Sequence, residues 1–131
     1  MKENKLSILA SASFSPTLHA ESSPSRHQEK YMNLLKNIIL SRINRKEVMV
    51  FLFGSRVSGR HGSRADVDIG FLSHGKLPAS LLHGIRNAIE DSIIPLEVDL
   101  VDFTRTDTHF KNEAMKEIMI WNLPEHMNKN F

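Results

Sequence analysis

Two apolar stretches joined by a glycine-punctuated turn restrict what this chain can fold into. The first, Val50-Phe51-Leu52-Phe53, runs into Gly54-Ser55-Arg56. The second, Val67-Asp68-Ile69-Gly70-Phe71, follows Arg64-Ala65-Asp66. β-Branched and aromatic residues at this density suit strands, and a nearly unbroken apolar run suits a strand covered on both faces. Side chains of a strand alternate, so Asp66 and Asp68 share one face, while Val67, Ile69 and Phe71 point to the other. The link between the two strands is too short for a crossover helix, so the pair is expected to be antiparallel.

The same stretch carries the chemistry. Neighbouring carboxylates repel unless a cation lies between them. Mg²⁺ suits such a pair, since it takes one or two protein carboxylates and leaves its other positions to water and phosphate. Gly54 lets the backbone approach a phosphate, and Ser55 adds a hydroxyl and an amide. Together these features point to chemistry on a nucleoside triphosphate. Gly54 and Gly59 have P-loop separation, but Arg60-His61 replaces the required Lys-Ser/Thr. Arg56 and His61 match the R-x4-H spacing of HEPN ribonucleases, yet they lie in a glycine-broken turn and not on a helix.

The rest of the chain alternates helix and strand. Ser25-Arg26-His27-Gln28 reads as a capping box for a helix with Tyr31, Leu34, Leu35, Ile38 and Ile39 on one face. The first strand runs from Glu47 to Phe53, and Ser55 to Ser58 forms a short helix. After the second strand, Pro78 opens a helix with Leu81, Leu82, Ile85, Ile89 and Ile93, in which Gly84 is expected to allow close packing on the sheet. A third strand covers Leu96 to Asp102. There Glu97 and Asp99 share a face opposite Val98 and Leu100, so Asp99 can join Asp66 and Asp68, and Asp102 has the other parity. Thr106 or Asp107 caps a last helix with Phe110, Ala114 and Ile118, and Met119-Ile120-Trp121 closes the domain in extended form. The expectation is one α/β domain with a small mixed sheet flanked by helices. Residues 1–25 form a loose leader, residues 26–122 the domain and residues 123–131 a tail.

Composition narrows the class. At 131 residues one domain is expected, and 40% hydrophobic with 24% charged residues describes an ordinary globular chain. With no cysteine, disulfides and thiolate metal sites are excluded. A net charge of +2 does not indicate nucleic-acid binding. Between Arg42 and Arg64 there are six Lys or Arg and one acid, Glu47, which is either a solvated basic face or a means of steering a triphosphate. No apolar run approaches a membrane span.

Gly54-Ser55, ten intervening residues and then Asp66-Val67-Asp68 resemble the signature of the minimal nucleotidyltransferases of the polymerase-β-like superfamily. Phe53 and Arg56 on its flanks, and the acids in Val98-Asp99-Leu100-Val101-Asp102, extend the likeness to roughly residues 28–122. The family usually has serine where this chain has Ala65. The resemblance implies a polymerase-β-like fold in which Asp66, Asp68 and Asp99 are catalytic and hold two Mg²⁺ ions. It also implies that Gly54, Ser55, Arg56 and Arg64 bind the nucleotide. It suggests a cytoplasmic antitoxin that transfers AMP from ATP to a hydroxyl of a HEPN-domain partner. A non-catalytic antitoxin acting by contact, and a small-molecule nucleotidyltransferase with a site shared in a homo-oligomer, are the alternatives.

Overall fold

The computed structural model describes residues 24–58 and 66–130. Helix α1 spans Pro24–Leu40, strand β1 Val48–Phe53, helix α2 Ser55–Ser58 and strand β2 Val67–Ser73. Helix α3 (Ala79–Glu90), strand β3 (Val98–Asp102), helix α4 (Thr108–Met115), strand β4 (Met119–Asn122) and a 3₁₀ helix (Glu125–Asn130) follow. The sheet belongs to the compact unit formed by residues 31–131.

The sheet order is β3-β2-β1-β4. β1 is antiparallel to both β2 and β4, and β2 is parallel to β3, so the sheet is mixed as expected. The parallel pair is possible because α3 supplies the crossover that the short β1–β2 link lacks. Every residue of β1 is buried, which accounts for its unbroken apolar sequence at the sheet centre.

Alternation sorts the core into two clusters. Val48, Val50, Leu52, Val67, Ile69 and Phe71 pack with Leu35 and Ile39 of α1 and Ile85 and Ile89 of α3. On the other face Met49, Phe51, Phe53, Phe103 and Met127 form a second cluster, joined by Ala114 and Met115 of α4. The sheet thus has helices on both sides. Gly70 faces the second cluster, where a Cβ would run into the rings of Phe51 and Phe103, so only glycine lets these rings lie across β2. The Phe51 and Phe103 ring centres are 5.1 Å apart.

Several boundaries differ from the sequence reading. α1 begins at Pro24, so Ser25 lies inside its first turn and is not the cap. Gly84 opens to empty space on the exposed side of α3 and serves no close packing. α4 stops at Met115, before Ile118, while Asp107 caps it by accepting from the Phe110 amide at 2.9 Å. The region after residue 122 is partly core, since Pro124 and Met127 are buried. Asn122 pins the final strand: its amide donates to the carbonyls of Arg45 (2.9 Å) and Val48 (2.7 Å) and its oxygen accepts from Arg45 Nε (3.1 Å). No helix among the described residues is long and apolar enough to cross a membrane.

Candidate active site

Strand register assembles the site. Phe53 of β1 pairs with Asp68 of β2, and Asp68 pairs with Asp99 of β3. These three residues form one row across three strands, with their side chains on the face of the second core cluster. Asp66 lies two residues upstream of Asp68, immediately before β2, and is exposed. The ladder continues there, because the Val67 amide donates to the Glu97 carbonyl at 2.8 Å. Asp102 has the opposite parity and is occupied elsewhere, accepting from the Thr104 amide at 2.9 Å and lying 3.7 Å from Arg105.

Gly54 closes the row. It follows Phe53 directly and has φ +82°, a left-handed conformation that disfavours any residue with a Cβ. A Cβ at Gly54 would also overlap Asp68 Oδ2 and lie 3.2 Å from its Cγ. Glycine is therefore required twice, by the turn and by the carboxylate beneath it. The turn continues into α2, with the Val57 amide donating to the Gly54 carbonyl at 3.1 Å. Ser55 and Arg56 are the first residues of α2 and are half-buried. Arg64, expected near a nucleotide, lies outside the described residues. Of the basic cluster, Arg42 donates to the Ile38 carbonyl at the end of α1 (3.1 Å) and Arg45 to the Asn122 oxygen (3.1 Å), both uncharged partners.

Electrostatics mark Asp68. Partial burial, then the carboxylates of Asp99 and Asp66, hold its carboxyl above its ordinary value. Asp68 therefore lies within electrostatic reach of both other acids. Among the described residues no group of three or more His, Asp or Glu side chains is placed to hold a metal ion together. The expected three-acid cluster is accordingly a register-paired couple, Asp68 and Asp99, flanked by Asp66. An all-oxygen pair with excess negative charge fits a hard divalent cation, since Mg²⁺ needs one or two protein carboxylates.

Aromatic rings border the acid row. Phe53 and Phe103 meet edge to face at 5.0 Å, and Phe110 of α4 stacks on Phe103 at 5.5 Å. In the sequence Phe53 and Phe110 read only as packing residues. Their place beside the acids depends on α4 crossing this face, which local periodicity does not reveal.

Similarity to known proteins bears on the family and the fold. The family described as Polymerase beta, nucleotidyltransferase matches residues 31–125. A Haemophilus influenzae protein named "Probable protein adenylyltransferase MntA" is 30% identical over 71 residues, which are 54% of this chain and 61% of that relative. The fold is similar to a structure of the tri-AMPylated Shewanella oneidensis HEPN toxin in complex with MNT antitoxin, with a TM-score of 0.56 and 19% identity, covering 79% of this chain and 77% of the other. It is also similar to a toxin–antitoxin structure with AMP-PNP, with a TM-score of 0.55 and 21% identity, covering 74% of this chain and 77% of the other.

Proposed function

The chain belongs to the polymerase beta nucleotidyltransferase family, and on that premise we propose that it transfers AMP from ATP to a hydroxyl of a HEPN-domain partner protein, as an antitoxin. The observation that carries the reading is the row Phe53–Asp68–Asp99, with Gly54 lying over Asp68 and lacking the Cβ that would cover its carboxylate. The nucleotide and the acceptor are suggested by what similar proteins are named for: a protein adenylyltransferase, an AMPylated HEPN toxin with its antitoxin, and a complex with AMP-PNP.

Asp68 and Asp99, with Asp66, would hold Mg²⁺, which when bound supplies charge neutralisation on the triphosphate and acidifies the attacking hydroxyl. Gly54 and Ser55 place backbone and hydroxyl groups against the phosphates, because no side chain at residue 54 keeps them away. The acceptor oxygen forms a bond to the α-phosphorus, the bond to the bridging oxygen breaks, and pyrophosphate leaves. Asp99 is exposed at the strand edge and takes the hydroxyl proton. The rigid sheet mainly supplies position. The site is expected to work in the cytoplasm, where nucleoside triphosphates are found.

Incubation with each nucleoside triphosphate, Mg²⁺ and the product of the neighbouring gene tests the proposal by intact mass. A gain of one or more AMP groups on the partner is expected with ATP. No gain with any triphosphate would refute it. The second reading is neutralisation of the toxin by contact alone. Asp66→Asn/Asp68→Asn separates the two, since only a contact antitoxin would still neutralise its toxin.

A further inference from the structure

We infer that Phe110 is the stacking platform for the nucleobase of the donor nucleotide, an inference that rests on the nucleotidyltransferase reading above. Phe110 is 42% exposed, yet it is held on three sides. Its amide is fixed by the Asp107 cap. One face of its ring lies nearly parallel to Phe103, at 5.5 Å and 18°. Phe53 meets it nearly at right angles, with the ring centres 6.5 Å apart. Offset stacking on Phe103 and the edge contact with Phe53 fix the ring while leaving part of its surface exposed. It is an ordered, flat, apolar surface available to a planar group.

Its place favours a nucleobase. Phe53 is the register partner of Asp68 and directly precedes Gly54, so Phe110 lies one ring away from the end of the acid row where the phosphates would sit. α4 runs along this face with Phe110 near the acid row, while Met115 packs with the second core cluster. A nucleotide with its phosphates at Gly54 can thus lay its base on Phe110 while its α-phosphorus faces Asp68 and Asp99. Phenylalanine has no hydrogen-bonding group, so it supports every base by stacking and selects none. Any choice between ATP and GTP comes from other residues.

The test measures binding of MgATP, MgGTP and Mg-tripolyphosphate to the whole chain without acceptor. Phe110→Ala and Phe110→Leu should both weaken ATP and GTP equally, by about 5- to 150-fold. Tripolyphosphate, which has no base, should bind as before. Phe110→Trp should bind both nucleotides at least as well as the parent. Phe110→Leu keeps apolar bulk but removes the flat ring, so ATP binding as tight as the parent's would show a packing role and overturn the inference. Equal loss of tripolyphosphate would overturn it too, because the whole site would then have shifted. If the parent binds neither ATP nor tripolyphosphate, the nucleotide reading itself fails, and the inference falls with it.

Discussion

Gly54→Ala has two separable costs, and each can be read from the structure. The residue has φ +82°, and an L-residue in the left-handed region costs about 1–2 kcal/mol. The new methyl would also overlap Asp68 Oδ2 and approach Cγ to 3.2 Å. The lowest-cost escape is rotation of the short Asp68 side chain away from its rotamer, at about 0.5–1.5 kcal/mol. Together the substitution should destabilise the fold by roughly 1.5–3.5 kcal/mol. For a chain of this size that lowers the thermal midpoint by roughly 5–15 °C. Transfer activity should fall further than stability does, because misplacing a reacting group by one ångström costs about 100-fold. Urea unfolding of four proteins separates the terms: parent, Gly54→Ala, Asp68→Ala and the double variant. In the Asp68→Ala background the overlapping atoms are gone, so Gly54→Ala should cost only the backbone part. The difference between backgrounds, about 0.5–1.5 kcal/mol, is the coupling between glycine and carboxylate. Equal costs in both backgrounds, or a Gly54→Ala protein within about 0.5 kcal/mol of the parent, would refute the claim that this glycine exists for Asp68.

Other perturbations give equally direct readouts. Because the folded-state carboxyl of Asp68 is held above its ordinary value, its contribution to stability is fully present below about pH 3.9 and is lost as pH rises through the raised value. Metal-free Asp68→Asn should therefore be at least as stable as the parent at pH 7, measured by urea unfolding in chelator, and a clear loss there would show that Asp68 is structural. Asn122→Ala leaves the buried Val48 carbonyl and the part-buried Arg45 carbonyl without their donor and should cost about 1–3 kcal/mol, and a measured cost below about 0.5 kcal/mol would mean that the final strand is held by other contacts. Gly70→Ala drives a methyl into Phe51 and Phe103 and should cost about 1–3 kcal/mol by overpacking, with near-ultraviolet circular dichroism expected to register the disturbed rings.

What could be read in the sequence was set by short-range rules. The β1–β2 pairing follows from a link too short for a crossover, and the structure places that pair antiparallel. The parity of Asp99 and Asp102 follows from strand alternation and fits the register Asp68↔Asp99. Asp107 was readable as a cap from its position before an apolar run. What could not be read depends on contacts distant in the chain. Asn122 bonds to Arg45 and Val48, 77 and 74 residues away, and no local pattern shows an amide being used as a pin. Gly70 looks like a weak point in a strand until the two phenylalanine rings crossing it are known. Gly84 misled in the opposite direction, because a glycine on a helix suggests close packing yet here meets only open space.

The arrangement of charge indicates what the acid row is for. A row made only for stability would not set Asp68 beside Asp99 in register, partly buried and with Asp66 two residues away. Like charges at that spacing oppose folding, and apolar residues at these positions would remove the repulsion. The opposite face of the same strands carries such residues, Val67, Ile69 and Phe71, all fully buried. One strand therefore presents a face that stabilises the sheet and a face that works against it. A group held away from its ordinary ionisation at the rim of a core is a mark of function more often than of stability. The aromatic cluster of Phe53, Phe103 and Phe110 borders this unfavourable row. Its packing can hold the backbone beneath the acids in place while their charges repel, as the proposed binding of a cation and phosphates would require.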